Sequence, residues 1–302
     1  MKSETVKARE GYPQLVVRKI DFELEQEIDP VWNPSKPEWS HMFTGASLTM
    51  PYLEPFLIRT MREASKLVTD PVLLEEMRDF NAQEAQHYQH HAKYNAMIKA
   101  SGYPELQAVE DKMAAEYKGF KKHSLKWRLA YTAGFETMTM GVTEWLVNDR
   151  RYLFGNSESK VASFVLWHMV EETEHKNVAI DAYHHLYPKA YFSRIWGLLR
   201  GSAHVALTSR KAYIIMLKKD GRWRQWSSRM AVWKMVAQFL FKASPAMLRA
   251  LVPGYHPSKV RDPEWVAQWV DAFSVLPEGY VPILDTENPD IPPTFTSAPA
   301  VA

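Results

Sequence analysis

Residues 79–91 read DFNAQEAQHYQHH, and within them Glu84 and His87 stand three positions apart. On a helix this spacing puts a carboxylate and an imidazole on one face, one turn apart. A second such pair, Glu172 and His175, stands in VEETEHKNVAID over residues 170–181. One E-x-x-H motif carries little, since a chain of this length should show roughly one by chance. Two are another matter when each lies in a long helical segment and each is preceded by a helix offering an inward Glu. That is a ligand pattern for two metal ions held among four helices.

The rest of the composition narrows the metal. The chain has 302 residues, is 46% hydrophobic and carries a formal charge of +2. It is long enough for a real core, and its overall charge gives no bias toward nucleic acid. It has no cysteine, which excludes disulfides, iron–sulfur clusters and thiolate zinc sites and suits a reducing cytoplasm. Any metal must then sit on imidazole and carboxylate, a donor set for iron or manganese rather than structural zinc. The opening MKSETVKAREGYPQ has no apolar h-region, so no signal peptide is expected. No run of apolar residues is long enough to predict a spanning helix.

Taken in order, residues 1–43 predict an irregular arm. Val16, Val17, Ile20 and Phe22 suggest a strand or strap, and Pro30, Pro34 and Pro37 forbid a long helix. Trp32, Trp39 and Phe43 are expected to pack the arm on the body. The bundle is expected over 44–188. Its first helix runs from about Thr44 to Val68, with a kink expected at Pro51, and its second runs from Asp70-Pro71, as cap and first position, to about Ala100. A partly helical connector covers 105–122. A third helix runs from Ser124 to about Asp149, a turn covers 150–156, and a fourth helix runs from about Ser157 to Tyr187. Residues 189–276 predict further helices, broken near Asp220-Gly221, with a short one started by Pro263. Residues 277–302 read as a proline-rich strap and a disordered tail.

In an antiparallel helix pair, residues equally far from the turn lie at equal height. Counting from a turn near Thr69-Asp70, Glu84 is level with Glu54. Counting from Phe154, Glu172 is level with Glu136, whereas Glu144 falls about 12 Å off. The predicted metal ligands are therefore Glu54, Glu84, His87, Glu136, Glu172 and His175. Gln83 and Glu171 each sit four before a ligand His and are expected to orient its ring. His91 and His168 are assigned to the surface or to outer, ring-supporting positions, with an extra ligand or channel role as the less favoured alternative, and Glu174 to solvent.

These residues resemble the ferritin-like di-iron carboxylate superfamily, and in particular the branch described as "predicted metal-dependent hydrolase". That branch's first helix resembles A-L-S-x-x-F-P-x-G-E-x-F-F-I-R. Residues Ala46 to Arg59 keep Pro51, Glu54, Phe56, Ile58 and Arg59 and depart at Met50 and Leu53. Glu84 and His87 match its E-x-x-H helix. Glu136-Thr137-Met138-Thr139 matches its third-helix Glu without the following His, and Glu171 to Lys176 matches E-E-x-E-H-K in full. The resemblance spans about residues 15–250. It implies an all-α, ferritin-like antiparallel four-helix bundle with an irregular N-terminal arm and additional C-terminal helices.

Carboxylate-rich sites of this type favour redox chemistry. The first expectation is a non-haem di-iron oxidase or oxygenase acting with O2 on a hydrophobic, fatty-acyl-like substrate. The alternative is a metal-dependent hydrolase with a dinuclear site, and the third reading is a non-enzymatic iron-binding protein. Two Fe ions are expected, with Mn or a mixed Mn/Fe pair as alternatives. A homodimer, no nucleic acid and a cytoplasmic location complete the expectations. Residues 191–250 stand apart, with twelve Lys/Arg against one acid and interleaved Trp196, Trp223, Trp226 and Trp233. A solvated face is the plain reading of that stretch. An anionic-lipid contact at the inner membrane face and a channel for an acidic apolar substrate are its rivals.

Overall fold

The computed structural model describes residue 9, residues 12–290 and residue 295. The described residues contain helices and no strand, so the fold is all-α. The expected C-terminal tail lies almost wholly outside them.

The arm is shorter than expected. Helix α1 spans Pro37–Ser47, with Pro37 in the first turn, where its missing N–H costs nothing. Before it, residues 12–36 run as a strap. Arg18, Ile20, Phe22 and Leu24 point inward at every second position, although no ladder forms. Trp32 packs on Trp39, Phe43 and Phe154, as anticipated.

The expected first helix is in fact two. α1 ends at Ser47 and α2 spans Met50–Ala64. Pro51 explains the break, because it has no N–H to give the carbonyl four residues back. That carbonyl, on Ser47, accepts instead from Asn95 Nδ2 at 3.0 Å. α3 spans Pro71–Ala100, and the Asp70 carboxylate accepts from the Val72 and Leu73 N–H groups. α4 spans Leu106–Phe120, and α5 spans Leu125–Asn148 under a Ser124 cap. The turn at 150 is the short helix α6, Arg150–Phe154.

The expected fourth helix is also divided, into α7 (Ser159–His175) and α8 (Val178–Leu186). The joint falls where Lys176 is drawn to the Val260 carbonyl and the Asp262 carboxylate. α9 spans Tyr191–Lys219, α10 spans Trp226–Ala250 and α11 spans Glu264–Ser274. No described helix is long and apolar enough to cross a membrane.

Four rods frame the interior. α2 packs on α3 and α5, α3 on α7 and α8, and α5 on α7 and α8. α9 and α10 both rest on α5 and α1, and α11 rests on α7. The α5–α9 contact runs through glycine. A Cβ on Gly197 would lie 2.0 Å from the Ala130 carbonyl oxygen, and one on Gly134 would lie 2.3 Å from the Gly197 carbonyl carbon. Only hydrogen side chains allow that approach.

Candidate metal centre

All six predicted ligands converge. α2 brings Glu54, α3 brings Glu84 and His87, α5 brings Glu136, and α7 brings Glu172 and His175. Each is buried, none more than 2% exposed. Glu84, Glu136, Glu172 and His175 each offer one donor atom within 4.8 Å of the others. His175 Nε2 lies 3.3 Å from Glu84, 3.4 Å from Glu136 and 3.2 Å from Glu172. Donors about 2.0–2.2 Å from a common ion lie about 3–3.5 Å from one another, so these spacings suit one ion.

A second pole adjoins the first. His87, His168 and Glu172 form another group, and Glu54, His91 and His168 a third. His87 Nδ1 is 3.9 Å from both Glu84 Oε1 and Glu172 Oε1. His168 Nε2 is 2.9 Å from Glu172 Oε1 and 3.9 Å from Glu54 Oε1. Glu172 therefore turns Oε2 to one pole and Oε1 to the other. Glu144, the rival to Glu136, is turned outward to Arg249 at 2.7 Å.

The rings are locked by partners whose own donors are fixed. Gln83 Nε2 donates to the Val16 carbonyl and to Glu174, so Gln83 Oε1 accepts from His175 Nδ1–H at 3.1 Å. Glu171 Oε2 accepts from His87 Nε2–H at 3.0 Å. His87 Nδ1 is left with a lone pair facing the carboxylates. Burial works against a proton on His175, but Glu172 and Glu136 outweigh it and hold His175 well above the usual imidazole range, so in the metal-free chain its Nε2–H faces them. Gln83 and Glu171 each hold a ligand ring, but with the partners exchanged. The spacing paired Gln83 with His87 and Glu171 with His175, whereas Gln83 bonds His175 and Glu171 bonds His87, across the α3–α7 contact.

His168 and His91 lie deeper than expected, at 6% and 3% exposed. Asn95 Nδ2 donates to the Ser47 carbonyl, so Asn95 Oδ1 accepts the Ser47 hydroxyl. Ser47 Oγ then accepts from His91 Nδ1–H at 2.7 Å. Burial, with His168 beside it, holds His91 well below the usual imidazole range, so it is neutral and its Nε2 accepts from His168 Nδ1–H at 3.1 Å. His168 Nε2 is thereby turned toward Glu54 and Glu172 as the nitrogen of that ring not committed to His91. His168 belongs with the inner donors, and His91 supports its ring.

Glu174 is also misplaced by the sequence reading, being 5% exposed rather than in solvent. Arg18, from the strap, grips it with Nη2 at 2.6 Å and Nη1 at 2.9 Å, and reaches Glu171 at 3.2 Å. The guanidinium lies over Trp269 and Phe273 of α11. One buried cation thus anchors the supports of both His87 and His175. The alternation of Arg18 with Ile20, Phe22 and Leu24 was the available signal for its burial.

The electrostatics describe a cavity short of positive charge. Burial, reinforced by neighbouring carboxylates, pushes Glu54 and Glu84 well above the usual carboxylate range and Glu136 to about 7. Burial also works against Glu172, but His175 and His168 outweigh it and hold Glu172 at about 2. His87 is driven well below its ordinary range by burial and the adjacent His168. Glu54 Oε2, both oxygens of Glu84 and of Glu136, and His87 Nδ1 have no hydrogen-bond partner. Buried orphans of this kind cost about 1–3 kcal/mol each, more when charged. A pair of divalent cations would satisfy them together, so the donor set fits.

Apolar walls close the site. The His87 ring meets Trp167 at 5.1 Å and the His175 ring meets Phe80 at 4.8 Å. Two surface clefts of about 380 and 370 Å³ lie elsewhere, beside Arg249 and beside Tyr191, and contain none of these donors.

No curated protein and no solved structure matches the chain. A family model described as "Predicted metal-dependent hydrolase" matches residues 16–261.

Proposed function

Since the chain belongs to the predicted metal-dependent hydrolase family, we propose that it is a metal-dependent enzyme with a dinuclear centre of ferritin-like type. Glu54, Glu84, His87, Glu136, Glu172 and His175 are its ligands, and His168 is a seventh donor. The bundle over 44–188 carries the centre, and 189–276 covers it. The observation that carries this reading is the set of buried carboxylate oxygens and the imidazole nitrogen at the core with no protein partner. Nitrogen and oxygen donors without sulfur suit iron or manganese.

The family description places hydrolysis ahead of oxidation, reversing the order suggested by the ligand pattern alone. Two bound ions would supply Lewis acidity and an activated water. The chain's own residues do the rest. Glu172 spans the two poles. Glu171 and Gln83 hold the outer protons of His87 Nε2 and His175 Nδ1, which keeps the inner lone pairs directed. Arg18 fixes Glu171 and, through Glu174, Gln83. Trp167 and Phe80 exclude water from the rings.

One observation favours the second reading, an oxidase or oxygenase using O2 on a hydrophobic substrate. The ligands are shut away from both surface clefts, which suits a reactant as small as O2. Ferrous loading under anaerobic conditions, followed by air, separates the two. Turnover of an ester or amide panel without O2 uptake supports hydrolysis. O2 consumption with an optical transient supports oxidation. A chain that binds no metal removes both.

A further inference from the structure

α9 and α10 bury one face, where Leu198, Val205, Met216, Val232 and Met235 join the small residues, and display large apolar side chains on the other. α9 sets Gly197 and Gly201 against α5, while Phe192, Trp196, Leu199 and Leu207 face outward. Phe192 is 85% exposed. α10 buries Ser228, Ala243, Ala246 and Ala250. Its outer face carries Trp226, Met230, Trp233, Leu240, Phe241 and Leu248, with Trp226 at 69%, Trp233 at 64% and Phe241 at 77% exposure. Their spacings of four, three, seven, one and seven residues keep all six within about 100° of arc on a 3.6-residue helix, one stripe along its length. Apolar stripes of this extent on a surface mark an interaction site. Both helices rest on α5 and α1, so both stripes look away from the same side of the core.

The charge on this surface is one-sided. Residues 191–250 hold twelve Lys/Arg, and their one acid, Asp220, is engaged by His41 and Tyr103. Lys219, Lys242 and Arg249 pair with acids of other helices. Arg210, Lys211, Lys218, Arg224 and Lys234 are exposed and have no acidic partner among the described residues.

We propose that the α9–α10 face docks on an anionic membrane surface, the stripe entering the headgroup boundary and the basic side chains meeting lipid phosphates and carboxylates. Exposed Trp and Phe framed by Lys and Arg are the composition of helices that lie in that boundary. A second copy of the chain fits worse, because a two-fold contact through this face would set the unpaired bases against one another. Nucleic acid would use the charge and leave the stripes uncovered.

The test is sedimentation of the full-length, metal-loaded protein with vesicles of pure phosphatidylcholine and with vesicles containing one-third phosphatidylserine. The expected result is at least tenfold stronger binding to the anionic vesicles, reduced by high salt, with Trp fluorescence quenched by brominated lipid. A Trp226→Ser/Trp233→Ser/Phe241→Ser variant should lose binding to both vesicle types. An Arg210→Glu/Lys211→Glu/Lys218→Glu variant should lose the preference for anionic lipid. Unchanged circular dichroism and metal content in both variants exclude misfolding. Equal binding to the two vesicle types, or none to either, overturns the proposal. A stable dimer that the Trp/Phe variant dissociates, without vesicle binding, overturns it in favour of a second copy. A shift of nucleic acid without vesicle binding overturns it also.

Discussion

α7 and α10 break the usual rule of polarity in opposite directions. α7 buries every residue from Val161 to His175, among them Glu171, Glu172, Glu174, His168 and His175. α10 buries only six of its 25 residues, most of them small, and leaves Trp, Phe and Leu outside. A carboxylate taken out of water demands a cation, whereas an apolar stripe left in water demands a cover. The first demand is met partly inside the chain, by Arg18, and partly by the proposed metal. The second is met by nothing among the described residues. Charge and hydrophobicity misplaced in the fold are thus the observations behind the two proposals, one at the centre and one on a face.

The sharpest way to break this contrast is to remove the internal cation. Arg18→Met leaves Glu171 and Glu174 buried and unpaired, and such losses destabilise by about 3–5 kcal/mol. Urea unfolding measures it, and a change under 1 kcal/mol would show that Arg18 is not their counter-ion.

Next comes pH. Glu136 rises from 4.5 to about 7 in the folded chain, and Glu54 and Glu84 move the same way. For these groups folding favours the protonated form. The stability Glu136 lends the metal-free chain is complete below pH 4.5 and disappears as pH rises through about 7, and Glu54 and Glu84 act in the same direction. Bound cations favour the ionised form. The stability gap between metal-loaded and chelated protein, read from their unfolding, should therefore widen from pH 5.5 to pH 8, by about 2 kcal/mol for Glu136 alone. His87 and His91 are neutral in both samples and cancel. A gap that narrows would sink this account of the cavity.

A smaller effect is expected one layer out. Gln83→Leu frees the His175 ring while leaving every ligand in place. Metal affinity should fall about 10–100-fold, read by competition with a chelator. An unaltered affinity would make Gln83 mere packing. The least effect belongs to the outer face. Trp233→Ser with Phe241→Ser should change unfolding stability by no more than about 0.5 kcal/mol, because neither side chain fills the core. A loss of several kcal/mol would mean the stripe is covered by the chain itself.

What the sequence disclosed follows from how local each signal is. The E-x-x-H pairs are readable because both partners share one helix turn. Glu54 and Glu136 follow from counting residues out from a turn, and Asp70 and Ser124 are caps with fixed chemistry. The alternation around Arg18 signals its burial but not its partners, which lie more than 150 positions away with no periodicity linking a strap to a helix. Glu174 was misread for the same reason, as its burial depends on that distant cation. The break after Ser47 was hidden because Pro51 looks like a kink until Asn95 is seen to take the freed carbonyl. His168 needed the direction of each hydrogen bond from Asn95 through Ser47 and His91 before its lone pair could be aimed.

The most direct measurement is metal content per chain, by elemental analysis of protein purified after growth with iron or manganese, for the native chain and for Glu172→Ala. The bridging role of Glu172 predicts about two ions in the native chain and fewer than one in the variant. No tightly held metal in the native chain, or the same content in both, would contradict it.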